Sequence, residues 1–130
     1  MEIEEMAARI SAAGSSREVI SDFLPISVDI DQDDPMVTVR LGGALDIDLR
    51  PVGDWSRYGF FCDGFSFEEM PAESAVSAVL SIALGDASVR TTGKWIFRER
   101  VLEFDIDGEQ WRAFRPLSHE TPLWEQIIGK

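Results

Sequence analysis

Between residues 26 and 49 apolar and polar side chains alternate in three successive runs: Ile26, Val28 and Ile30, then Val37, Val39 and Leu41, then Leu45, Ile47 and Leu49. A period of two sends every second side chain to the same face, which is the signature of a half-buried strand. The interruptions are turn-formers, Asp31 to Pro35 and Gly42-Gly43. Strands joined this tightly pair antiparallel, because a parallel pair needs a crossover of about a dozen residues or more. The chain is therefore expected to build a β-meander that ends near Pro51, followed by a loop around Gly53 to Arg57 and a further strand at Tyr58-Gly59-Phe60-Phe61-Cys62.

Helical spacing appears on both sides of the meander. Ile3, Met6, Ala7 and Ile10 predict an amphipathic helix over residues 2–13, with Gly14 as its stop. Ser15-Ser16-Arg17-Glu18 contains the Ser-x-x-Glu pattern of a capping box, and Val19, Ile20, Phe23 and Leu24 then suggest a second short helix running into Pro25. The two read equally well as one bent segment. Pro71 suits a helix start, where its missing N–H costs nothing, and Gly85 suits the end. The helix predicted over residues 72–84 is apolar nearly all round, with only Ser74, Ser77 and Ser81 as a polar stripe. Such a helix must be covered on most sides, either by this chain or by a second copy.

The last third reads as a hairpin. Asp107-Gly108 is a two-residue turn signal, and that turn pairs Ile106 with Glu109, Phe104 with Trp111, Leu102 with Ala113, and Glu103 with Arg112. Lys94 to Arg98 is expected to supply the neighbouring strand, and Thr121-Pro122 to open a short final helix with Trp124, Ile127 and Ile128. The whole is one α+β domain over residues 1–130. Its antiparallel meander and hairpin sheet packs against the apolar helix, with an N-terminal helix and a short C-terminal one.

Composition narrows the function. Twenty-four acids oppose twelve Lys and Arg, a formal net charge of −12. That surface repels nucleic acid and anionic membrane and attracts basic protein. The acid is uneven. Through residue 48 eleven acids face three arginines, whereas over residues 90–115 six basic side chains face five acids. The single cysteine, Cys62, and the acidic start Met1-Glu2-Ile3-Glu4-Glu5 give a cytoplasmic expectation. The longest apolar stretch, Ala75 to Leu84, is short and broken by serines, so no membrane span is expected.

Chemistry-bearing motifs are sparse. Asp29-x-Asp31-x-Asp33 has the spacing of the first ligands of an EF-hand loop. However, Asp34 stands where the turn needs Gly, and Arg40 occupies the twelfth position, where a bidentate Glu belongs. Cys62 and His119 are formally a nucleophile and a base, yet no motif surrounds either. Zinc, phosphate-loop and Gly-x-Ser-x-Gly patterns are missing, and no carboxylate pair stands out. The expectation is a non-enzyme with neither cofactor nor metal.

The binding expectation is a basic protein partner met by Asp29, Asp31, Asp33, Asp34, Asp46 and Asp48, with Trp55 and Tyr58 from an aromatic segment that runs to Phe67. In size, charge and lack of catalytic motifs the chain resembles immunity proteins that block bacterial toxins, which implies an electrostatically steered blocker. Its element order also resembles that of type III secretion chaperones. That resemblance implies a homodimer joined through the 72–84 helix at Val76, Val79, Leu80 and Ala83. A binding domain with a small-molecule pocket is the remaining alternative.

Overall fold

The computed structural model describes residues 1–117 and 120–129, and His119 lies outside the described residues. The three alternating runs form strands β1 (Ile26–Asp31), β2 (Met36–Leu41) and β3 (Leu45–Val52), and the meander continues through β4 (Arg57–Cys62) and β5 (Phe65–Pro71). All four pairings are antiparallel between sequence neighbours, which gives a five-stranded sheet in the order β1-β2-β3-β4-β5. A second sheet of three strands, β6-β7-β8, comprises Ser88–Thr92, Glu99–Ile106 and Glu109–Pro116. The β7–β8 register is the one the Asp107-Gly108 turn dictates, down to Phe104 opposite Trp111 and Glu103 opposite Arg112.

Helix α1 (Ile3–Ser16) buries Ile3, Met6, Ala7 and Ile10, the face its spacing marks. It packs on β1, β2 and the apolar helix α2 (Ala72–Ala83). Gly14 does not stop α1. A Cβ there would lie 3.0 Å from Ile26 Cδ1, so the glycine lets helix and strand approach closely. The helix ends two residues later, where the hydroxyls of Ser15 and Ser16 bond back to the carbonyls of Ser11 and Ala13. These serines therefore close the first helix instead of capping a second, and the expected second helix shrinks to a single 3-10 turn, Ser21–Phe23.

Helix α2 begins after Pro71 and ends at Gly85, whose φ of 80° permits the closing bond from Asp86 N–H to the Ser81 carbonyl at 2.8 Å. It touches α1, β4, β5 and, from the other sheet, β7. Val79 and Ala83 are buried by the chain's own elements, and Val76 and Leu80 are half-buried. The chain itself thus covers much of the helix face expected to join two copies. The short helix α3 (Leu123–Ile128) lies against β6. One continuous cluster of buried side chains unites both sheets and all three helices, from Met6 and Phe23 through Ile47, Phe60 and Ile82 to Phe104 and Trp124.

Candidate functional site

Strand alternation sends Val37, Val39, Leu41, Leu45, Ile47 and Leu49 into the core, so the intervening positions face away from it. Register aligns those outward residues into rows. Asp29 pairs with Thr38, which pairs with Asp48, which pairs with Phe61, while Arg40 stands between Ser27 and Asp46. Asp29, Asp31, Arg40, Asp46, Arg50, Phe61 and Ser66 are all exposed, so this face of the first sheet is open. Asp33 and Asp34 occupy the β1–β2 turn at its edge. The structure thus gathers all six expected acids along one open face and the turn that borders it.

The acids on this face do not behave alike. Asp31 is occupied with its own turn, accepting from the backbone N–H of Asp33 at 3.0 Å and of Asp34 at 3.2 Å. Asp29 pairs with Arg40, Asp34 accepts from Arg50 at 3.1 Å, and Asp48 accepts from the Thr38 hydroxyl at 2.9 Å. Asp46 has no ion pair among the described residues. It lines a groove of about 500 Å³ whose other wall carries Asp63, Pro122 and Trp124. Phe61, 39% exposed, is the exposed large apolar side chain of this face, where Met36 and Val52 are half-buried, and its ring lies over Gly59, where a Cβ would come within 2.9 Å. Its outward direction follows from alternation with the buried Phe60.

Trp55 and Tyr58 do not join this face. Trp55 sits in the β3–β4 turn, half-buried against the core. Tyr58 is fully buried and donates its hydroxyl hydrogen to the Met1 carbonyl at 2.6 Å. Burial, with the charges of Glu4, Glu2 and Glu5 nearby, pushes its phenol up to about 12. Tyr58 is therefore a core residue, because its position in β4 shares the inward parity of Phe60 and Cys62. Phe65 and Phe67 are buried too, so core packing absorbs most of the aromatic segment.

Cys62 is buried and unpaired, and burial, reinforced by Asp63, raises its thiol well above the ordinary range. A thiol held protonated in this way is a poor nucleophile.

A second cluster carried no sequence signal. The Glu125 side chain is fully buried between two arginines, Arg100 at 2.9 Å and Arg115 at 2.8 Å. Arg115 also bonds the Asp63 carbonyl at 2.7 Å and its carboxylate at 3.1 Å, and lies 4.5 Å over the Phe65 ring. The Trp124 indole N–H donates to the same Asp63 carboxylate at 2.7 Å. Glu125, from α3, is thereby clamped to β7 and β8 and to the β4–β5 turn. Spacing could not reveal this, since the four elements meet only in space.

Among the described residues no three His, Cys, Asp or Glu side chains converge as metal ligands, and no helix is long and apolar enough to cross a membrane. No protein-family model matches the chain, and neither does any curated protein or solved structure.

Proposed function

We propose that this chain is a binding domain that blocks a basic protein, in the manner of an immunity protein, and that it takes its partner on the open face of the first sheet. The observation that carries this reading is the composition of that face: Asp29, Asp31, Asp46 and Asp48, with Asp33 and Asp34 at its edge, against Arg40, Arg50 and, on β4, Arg57, which is paired with Glu69, around the exposed Phe61. An aromatic centre in a charged surround is the make-up of a protein interface. Asp46 is the strongest single anchor. It is exposed, it makes no internal ion pair among the described residues, and it borders a groove of about 500 Å³ that it shares with a second carboxylate, Asp63, a lining suited to a Lys or Arg side chain. Asp29 and Asp34, already neutralised in part by arginines, set the charge of the surround more than the affinity.

The test is affinity capture of the partner with three proteins: the native chain, Asp46→Lys with Asp48→Lys, and a control reversal on the second sheet, Asp105→Lys with Glu109→Lys. The expected partner is basic, and its association slows about tenfold or more for the first variant and little for the control. A partner kept equally by both variants, or lost equally by both, refutes the assignment to this face.

A further inference from the structure

The longest exposed run of large apolar side chains lies away from the acidic face. In the β6–β7 connection Trp95, Ile96 and Phe97 are 85%, 90% and 77% exposed, and Phe114 on β8 is 54% exposed. The residues between β6 and β7 form a tight knuckle, not the strand that Lys94 to Arg98 suggests. Gly93 has φ 87°, and a Cβ on it would fall 2.4 Å from the Phe97 carbonyl oxygen. Trp95 itself is held at φ 56°, a left-handed conformation that costs a non-glycine residue about 1–2 kcal/mol. The chain thus accepts backbone strain while presenting three large apolar side chains to water.

We infer that this knuckle is the dimerisation surface of the protein, and that its occupant is the same knuckle of a second copy. Three observations select a second copy. The first is shape: beside the knuckle runs a groove of about 370 Å³, lined by Ile96, Phe97, Phe114 and Pro116, so the patch carries both a projection and a recess. A two-fold axis places each projection against the recess of the other copy. The second is charge. Arg98 and Glu99 are adjacent on this groove, and neither they nor Lys94 makes an ion pair among the described residues. The same axis brings Arg98 of one copy toward Glu99 of the other. The segment around them is also nearly balanced, so two chains of net charge −12 can approach here without strong local repulsion. The third is area. An aromatic side chain covers about 150–250 Å², so Trp95, Phe97 and Phe114 present roughly 300–550 Å² at their exposures, and the exposed Ile96 adds to this. That is about half or more of the ~800 Å² each partner gives to a standard interface, and it reaches the upper end for a monomer's largest patch.

Sedimentation equilibrium of the native chain, of Ile96→Asp and of Asp46→Lys with Asp48→Lys tests the inference. The native chain and the acidic-face variant are expected to show a concentration-dependent dimer. Ile96→Asp is expected to remain monomeric with the native circular dichroism spectrum. An Ile96→Cys variant checks the geometry independently: mild oxidation should link two chains through the new cysteine, since Cys62 is buried, and the link should persist when Cys62→Ala is added. A native chain that stays monomeric, or an Ile96→Asp chain that still dimerises, overturns the inference. Binding of a monomeric native chain to phosphatidylcholine vesicles also overturns it, by making the knuckle a lipid anchor.

Discussion

Glu125 shows how much one residue can decide. Its carboxylate is fully buried and receives both Arg100 and Arg115, whose own side chains are only 18% and 12% exposed. Breaking a buried pair costs about 3–5 kcal/mol, because the remaining charges lose their partner without regaining water. Glu125→Ala is therefore expected to lower stability by about 3 kcal/mol or more in denaturant titration, and to release Trp124 from Asp63 as a change in indole fluorescence. Glu73→Ala, which removes an exposed pair with Arg9 at 3.5 Å, is expected to cost less than about 1 kcal/mol. Sequence inspection could not distinguish these two glutamates. Neither sits in a motif, and only burial separates them.

Among the elements, the two Asp-Gly turns make a matched pair. Asp63 and Gly64 have φ of 48° and 85°, and Asp107 and Gly108 have 51° and 83°. Both dipeptides adopt positive φ at both positions, as a tight hairpin turn requires. An alanine at Gly108 would meet open space, whereas at Gly64 its Cβ would lie 2.7 Å from Arg115 Cδ. Gly108→Ala is thus expected to cost about 1–2 kcal/mol from backbone strain alone. Gly64→Ala should cost measurably more in the same denaturant titration, since it also displaces the arginine that clamps Glu125. The second turn was legible because regular alternation flanks it. The first was hidden among aromatics: Phe61, on the outward face, breaks the inward series of Tyr58, Phe60 and Cys62 and blurs the strand boundary. Strand β6 was hidden for the opposite reason. Ser88–Thr92 has one apolar residue, Val89, and is held by its backbone ladder to β7, so it carries little hydrophobic signal. The neighbouring Trp95-Ile96-Phe97 carries a strong one, yet it is the exposed knuckle.

For the molecule as a whole, stability against pH draws on groups of opposite kind, of which Glu103 and Tyr58 are examples. The Glu103 carboxyl is held below its ordinary value by its hydrogen bond from Arg90, with Arg112 adding to the effect. A lowered folded value means stability that is full above the unfolded value near 4.5 and is lost as pH falls through the folded one. Tyr58 is raised from 10 to about 12, so its contribution is full below 10 and is lost as pH rises through about 12. Thermal melts across pH should show an alkaline fall to which the raised Cys62 thiol also contributes, and Tyr58→Phe is expected to remove the part that develops between pH 10 and about 12. Persistence of the full alkaline fall in that variant would assign it to other groups. At the same scale, the acidic sheet face and the knuckle divide the proposed work, one for a basic protein and one for a second copy.

The amino-acid sequence by itself determined the meander, the β7–β8 register, the ends of α2 and the presence of an acidic region. These follow from nearest-neighbour physics, namely side-chain parity, turn dihedrals and counted charge. Tertiary structure alone decided which acids share a face, that Tyr58 lies inside while Phe61 points out, and that much of α2 is covered by its own chain. It also decided that Glu125 is buried and that an apolar run resembling a strand stands in water. Those outcomes depend on contacts between residues far apart in the chain, where the competition for burial is settled by the packing of all elements at once.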